Sequence, residues 1–201
     1  MLKYTRIPAN TFKQLAINAG ILAKDFDPGT GEVSNLIGAT GGGVNFTATP
    51  SFTDFAEGID NARLNTKEMK DINDWEVSMS GTFKAVTTAL AKSLVAAADI
   101  DSDDATHIVP RDHLEMTDFE DLWLVGDYGR EGGHIAIHML NALSTGGFQI
   151  QTNDRGKGDF AFTFTGHYSL DAQDTVPFEI FIKEGSSTNS TSSTPVTNGG
   201  N

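Results

Sequence analysis

Apolar and polar side chains alternate with a period of two through much of the chain. In Trp75, Val77, Met79, Gly81 and Phe83 one face is mostly apolar, while Glu76, Ser78, Ser80, Thr82 and Lys84 form a polar one. Phe160, Phe162 and Phe164 alternate with Ala161, Thr163 and Thr165, and Phe148 and Ile150 alternate with Gln149 and Gln151. This period belongs to a β-strand, and a strand apolar on one side belongs to an antiparallel sheet with one face on a core and one face wet. Residues 44–55 also read as strand. Only residues 87–98 (TTALAKSLVAAA) break the pattern: Leu90, Leu94 and Ala97 stand at helical spacing, and Thr87 or Thr88 can cap the start. The fold class expected is mainly β, an antiparallel β-sandwich or partial barrel with one flanking helix over about 87–98.

The connections carry information of their own. Residues 56–74 (AEGIDNARLNTKEMKDIND) are polar, lack a period, and separate two strands that would otherwise form a hairpin. A loop of that length exceeds what chain connection needs, and such loops are usually functional or disordered. Residues 1–40 are mixed, with an apolar stretch at 15–22 and then the turn-rich DFDPGTGE; they read as an N-terminal arm and first turns. The last seventeen residues, 185–201, are uncharged and rich in Ser, Thr, Asn and Gly, which predicts a flexible tail on a domain spanning 1–184.

Three short motifs invite chemistry. GHIAIHM at 133–139 spaces His134 and His138 as helical zinc ligands are spaced, but Ile135, Ile137 and Met139 alternate with the intervening residues, so the segment reads as strand. There the two imidazoles stand about 13 Å apart, at about 3.3 Å per residue, too far to share one ion. IGATGGGVNF at 37–46 spaces Gly38 and Gly43 as a phosphate-binding loop does, yet Val44 and Asn45 replace the lysine and hydroxyl that grip phosphate; turning the chain into the next strand is the plainer role. DIDSDD at 99–104 starts like a calcium loop, but Asp104 and Pro110 occupy the places of the essential Gly and Glu, which leaves a solvated acidic loop. Trp123 in DLWLVGDY reads as a core or interface aromatic. No catalytic, cofactor-binding or metal residues are expected, and no enzyme activity.

Composition narrows the classes further. The 201 residues suffice for one domain with a core, and the absence of cysteine excludes disulfides, zinc fingers and thiol chemistry. No uninterrupted apolar core at the N-terminus suggests a signal peptide, and no stretch approaches a membrane span. Net charge is −13, and residues 99–127 hold ten carboxylates against Arg111 alone. Such a surface repels nucleic-acid phosphates, so no DNA-gripping basic patch is expected.

With the strands placed, residues 37–183 resemble the major tail protein, or tail tube protein, of long-tailed siphophages of Gram-positive bacteria. The resemblance rests on IGATGGGVNFTATPSFTDF, then DINDWEVSMSGTF with the alanine-rich helix. LWLVGDY, GHIAIHMLNALSTGGFQIQT and KGDFAFTFTGHYSLDAQDTVPFEIFIK complete it in order. It implies a structural virion protein of the phage tail-tube fold. Subunits would form hexameric rings that stack into a hollow tail tube, through which DNA passes to the host without specific binding. Implied partners are further copies, a tape measure protein, and tail terminator and distal tail proteins; the implied location is the virion tail, assembled in the host cytoplasm with no membrane association.

On that reading the lumen candidates are Thr47, Thr49, Glu76, Ser78, Ser80, Gln149, Gln151, Thr163 and Thr165, although periodicity leaves open which of these face outer solvent. Ring-stacking candidates in the long loop are Asp60, Arg63, Lys67, Glu68, Lys70 and Asp71, set against the alternative of a solvated loop. The alternative class is a β-sandwich binding module, an adhesin or carbohydrate-binding domain, which would present exposed aromatics on a flat or concave face.

Overall fold

Alternation over 75–83 and 160–165 produces adjacent strands whose apolar rows meet on one side. The computed structural model describes residues 7–8, 10–16 and 18–185. Residues 1–6 of the expected arm, and 186–201 of the expected tail, lie outside the described residues. Ten strands are present among those described: β1 (Ile21–Phe26), β2 (Val33–Gly38), β3 (Thr40–Asp54), β4 (Lys70–Phe83), β5 (Ala98–Ile100), β6 (Ile108–Pro110), β7 (Glu120–Tyr128), β8 (Gly133–Ser144), β9 (Phe160–Thr165) and β10 (Phe178–Lys183). One α-helix, α1 (Thr88–Val95), joins β4 to β5.

The main sheet is antiparallel in the order β2-β1-β7-β8-β9-β4-β3, with β10 also paired to β8. Strands at the two ends of that path, β2 and β3, are separated in sequence by Ala39 alone. The sheet must therefore curl until its ends meet at that corner, forming a half-barrel. There the Lys84 amide donates to the Ala39 carbonyl at 2.8 Å, and Gly38 fits so tightly that a methyl group would lie 3.1 Å from both Leu90 and Phe83. Gly42 and Gly43, at φ 82° and 86°, absorb the register shift between Thr40 and Val44. The glycine run is thus a bulge that turns the chain into the long β3 strand.

β8 holds the two halves together. Its first part pairs with β7 and β10, Leu143 and Ser144 pair with β9, and between them Asn141 takes a φ of 47°. The strand reading of 133–139 holds and extends through Asn141, because two neighbours on different sides support the bend. Alternation at 148–151 does not become a strand. β8 ends in a turn at Gly146 and Gly147, the Gln149 side-chain amide donates to the Gly146 carbonyl at 2.8 Å, and only Gln151 makes an isolated bridge, to Asp159.

The core fills the concave side with Leu22, Val77, Met79, Phe83, Leu90, Leu94, Leu122, Met139, Phe162 and Phe164. Burying each large side chain contributes about 1.5–3 kcal/mol. Leu90 and Leu94 come from α1, whose cap is Thr87: its hydroxyl accepts the Leu90 amide at 3.2 Å. The helix stops earlier than the pattern over 87–98 indicated. Ala96 turns at φ 73°, and Ala98 opens β5 with no exposed surface. A second cluster of Phe26, Trp123, Val125 and Ala136 covers the opposite face of β1, β7 and β8. Trp123 is therefore a core aromatic. Residues 21–38, read from sequence as arm and turns, form the β1–β2 hairpin and contribute Leu22 and Ala23 to the interior.

Candidate assembly surfaces

Opposite the core, β3, β4 and β9 present their polar rows on one continuous face. Asn45 pairs with Ser80 and Ser80 with Thr163; Thr47 pairs with Ser78 and Ser78 with Thr165; Thr49 pairs with Glu76. Thr145, beyond β8, adds a hydroxyl contact to Thr165 at 2.7 Å. Of the nine lumen candidates, Thr47, Thr49, Glu76, Ser78, Ser80, Thr163 and Thr165 share this face. Gln149 and Gln151 lie outside its rows, in the irregular segment after β8. From Asn45 to Thr165 those rows carry hydroxyls, one amide and a carboxylate, and Lys84, at the end of the β4 row, is paired with Asp159, so the face offers little positive charge with which to hold a phosphate.

The β3–β4 ladder continues beyond the body as a two-stranded arm. Exposed residues dominate β4 from Lys70 to Asp74, and the register shifts once between Ser51 and Phe52. The connecting loop is 55–69, shorter than 56–74, because Lys70 and Asp71 pair with Asp54 and Thr53 and belong to β4. Asp60, Arg63, Lys67 and Glu68 lie in the loop; all six stacking candidates are exposed. Asp54 anchors the loop: its carboxylate accepts the Asn65 amide at 2.7 Å and the Ala56 amide at 3.0 Å. Those bonds, Asn65 first, hold its pKa below the ordinary carboxylate value.

Lys67 of the loop and Lys70 at the start of β4 have local company. Lys67 pairs with Glu68 at 3.3 Å, and Lys70 donates to the Asn65 side chain at 3.2 Å while lying 5.1 Å from the centre of the Phe52 ring. The larger surprise is apolar. Phe52, Phe55, Ile59, Leu64 and Ile72 are all exposed on the arm and its loop. Sequence reading passed over them because they follow no period; the usable signal was five large apolar side chains inside a segment otherwise rich in charge.

A second apolar surface lies on β10. That strand pairs with β8 along one edge, placing Ile180 opposite Ile137 and Ile182 opposite Ile135. Ile180 and Ile182 remain 52% and 57% exposed. Together the arm and β10 give the molecule more uncovered apolar surface in recognisable places than scattered single residues do.

The acidic segment proves better partnered than its composition indicates. Arg111 reaches Asp118 at 2.6 Å, Asp99 at 2.9 Å and Glu115 at 3.6 Å, and Lys24 of β1 reaches Glu120 at 2.7 Å. Four of the ten carboxylates in 99–127 are thus paired within the chain and do not depend on the loop cations Arg63, Lys67 and Lys70 for partners. Lys24 was invisible to a count confined to 99–127, since the sheet brings it from almost a hundred residues away. Asp101, Asp103 and Asp104 stay in the β5–β6 turn, where Asp101 and Asp104 accept nearby backbone amides.

His134 and His138 sit on one face of β8. Among the described residues no three His, Cys, Asp or Glu side chains are grouped to hold a metal ion. No helix among them is long and apolar enough to cross a membrane. Comparison with protein-family models and with curated proteins finds no match for this chain.

Proposed function

We propose that this protein is a tail tube subunit of a long-tailed phage, building stacked hexameric rings whose bore passes DNA during genome ejection. The observation that carries the reading is the hydroxyl-rich face spread over three adjacent strands, directly opposite the apolar core, with Lys84 at its end neutralised by Asp159. A bore that must let a polyanion slide needs hydration without attraction, and rows of Ser and Thr supply it. Thr47, Thr49, Glu76, Ser78, Ser80, Thr163 and Thr165 line the bore in this proposal.

The remaining features favour assembly over a solitary domain. An arm with exposed Phe52, Phe55 and Ile72 is poorly suited to water but well suited to a neighbouring copy. Asp60, Arg63, Lys67 and Glu68 at its tip, with Lys70 and Asp71 at the start of β4, add polar contacts between rings. Each exposed pair is worth up to about 1 kcal/mol, so repetition around a ring matters more than any one of them. A tape measure protein and terminal tail proteins are the further partners of such a tube, and the virion tail is its location.

Sedimentation of the purified protein over a range of concentrations, followed by negative-stain electron microscopy, tests the proposal. Rings or tubes at high concentration are expected. A protein that sediments as a monomer throughout, with no rings in the images, contradicts it.

A further inference from the structure

The imidazole of His138 occupies an unusual position. It stacks flat on the indole of Trp123, with ring centres 4.0 Å apart and planes 5° from parallel, and is 15% exposed. Its two nitrogens face carboxylates on two different strands. Nε2 is 3.3 Å from Oδ2 of Asp121, on β7, and Nδ1 is 3.7 Å from Oε2 of Glu179, on β10. The other oxygen of Asp121 accepts the Asn141 amide at 3.0 Å, so that carboxylate is already held in place.

We propose that His138 is a proton-operated clamp that ties β10 to the sheet. A neutral imidazole offers the two carboxylates no opposite charge. The protonated ring puts one positive charge 3.3 Å and 3.7 Å from two carboxylate oxygens and also gains from lying over the indole face. Among the described residues β10 has a backbone ladder with β8 alone; Phe178 packs on Phe46 and Trp75, Lys183 donates to the Gly29 carbonyl at 2.7 Å, and Glu179 adds a further side-chain tie. Asp121 and Glu179 are the carboxylates paired to the ring. Beyond the row of Val125, Ala136 and Phe181, the same face carries Asp127, His134 and Lys183.

The sign follows from the charges. The clamp is closed while the ring is charged and both carboxylates are ionised, and it opens when the ring gives up its proton. β10 carries the exposed Ile180 and Ile182, so opening loosens a strand that displays apolar surface.

The chain has two tryptophans, so the Trp75→Phe variant leaves Trp123 as the single reporter. Its emission is expected to fall in one step on acidification, because the stacked ring becomes cationic. Adding His138→Gln should abolish the step. Hydrogen exchange in β10 of the wild-type protein, corrected for intrinsic rates, should be roughly two- to fivefold slower on the acidic side, as suits an exposed ion pair. Glu179→Gln, isosteric and at an exposed position, should remove that difference while keeping the emission step. A pH-independent Trp123 emission, or an unchanged exchange difference in Glu179→Gln, overturns the proposal even if His138→Gln fails to fold.

Discussion

Phe83 has no exposed surface and packs on Phe162 with ring centres 4.4 Å apart, at the corner where β2 and β3 meet. Replacing it with Ala leaves a cavity that the tight neighbours Gly38 and Leu90 cannot fill, so a loss of about 3–5 kcal/mol is expected from the shift of a urea unfolding curve. Ser78, Ser80 and Thr163 sit on the other side of the same sheet and should tolerate change. Lys at all three is expected to cost roughly 0.5 kcal/mol or less at each position, yet to slow DNA ejection from phage carrying the variant, because phosphates then meet attractive charge. Unchanged ejection kinetics through verified tubes would place these residues away from the bore. Asp54 makes a pH prediction. Its carboxylate is held below the ordinary carboxylate value by the Asn65 and Ala56 amides, so the contribution is present above that ordinary value and disappears as pH falls through the lower folded-state value. Protection of the Asn65 amide should therefore persist at neutral pH and fade in acid. Asp54→Ala should raise tryptic cleavage at Arg63 and Lys67 at neutral pH without moving the thermal midpoint. At this scale the sequence was a good guide to Phe83, Phe162 and Ser80, since a period of two assigns sides. It was a poor guide to His138 and Lys24, whose partners Asp121, Glu179 and Glu120 are distant in the chain or brought close only by sheet register.

Among the elements, α1 and the β3–β4 arm respond to different physics. Thr87→Ala removes the hydroxyl that accepts the Leu90 amide and should lower stability by about 0.5–2 kcal/mol, seen as a reduced melting temperature with unchanged assembly. In the arm the ladder reaches Lys70, so a clean deletion replaces 56–68 with a short Gly/Asn turn and leaves β4 intact. Native-like circular dichroism is expected, with long tubes abolished; tubes of normal length from the shortened protein would put stacking elsewhere. Element boundaries were legible where alternation is strong, as in β9, and failed where two glycines ended β8 before 148–151 could pair. The start of β4 was hidden because Lys70, Asp71, Asn73 and Asp74 are polar on both sides. A strand that leaves the body has no core to impose a period. For the same reason β1 and β2 escaped notice: β1 is buried on both faces, at Leu22 and Ala23, so it shows no alternation.

Over the whole molecule, the curled sheet, the single flanking helix and the polar face opposite the core were all readable in outline, because each follows from periodicity. How the sheet closes was not, since that depends on β2 and β3 lying at opposite ends of the strand order. In the proposed tube, the exposed apolar side chains of the arm and β10 join the charges as stacking determinants. Raised salt should therefore weaken tubes only in part, whereas Phe52→Ser combined with Ile72→Ser should prevent them at any ionic strength. In the proposed assembly, copies of this chain close into a ring with the β3–β4–β9 polar face turned inward. A cryo-electron microscopy reconstruction of assemblies grown from the purified protein measures this most directly. A hollow tube is expected, with Ser78, Ser80, Thr163 and Thr165 on its inner wall and the arm reaching the adjacent ring. A reconstruction with those four residues on the outer surface, or in contacts between subunits, would contradict it.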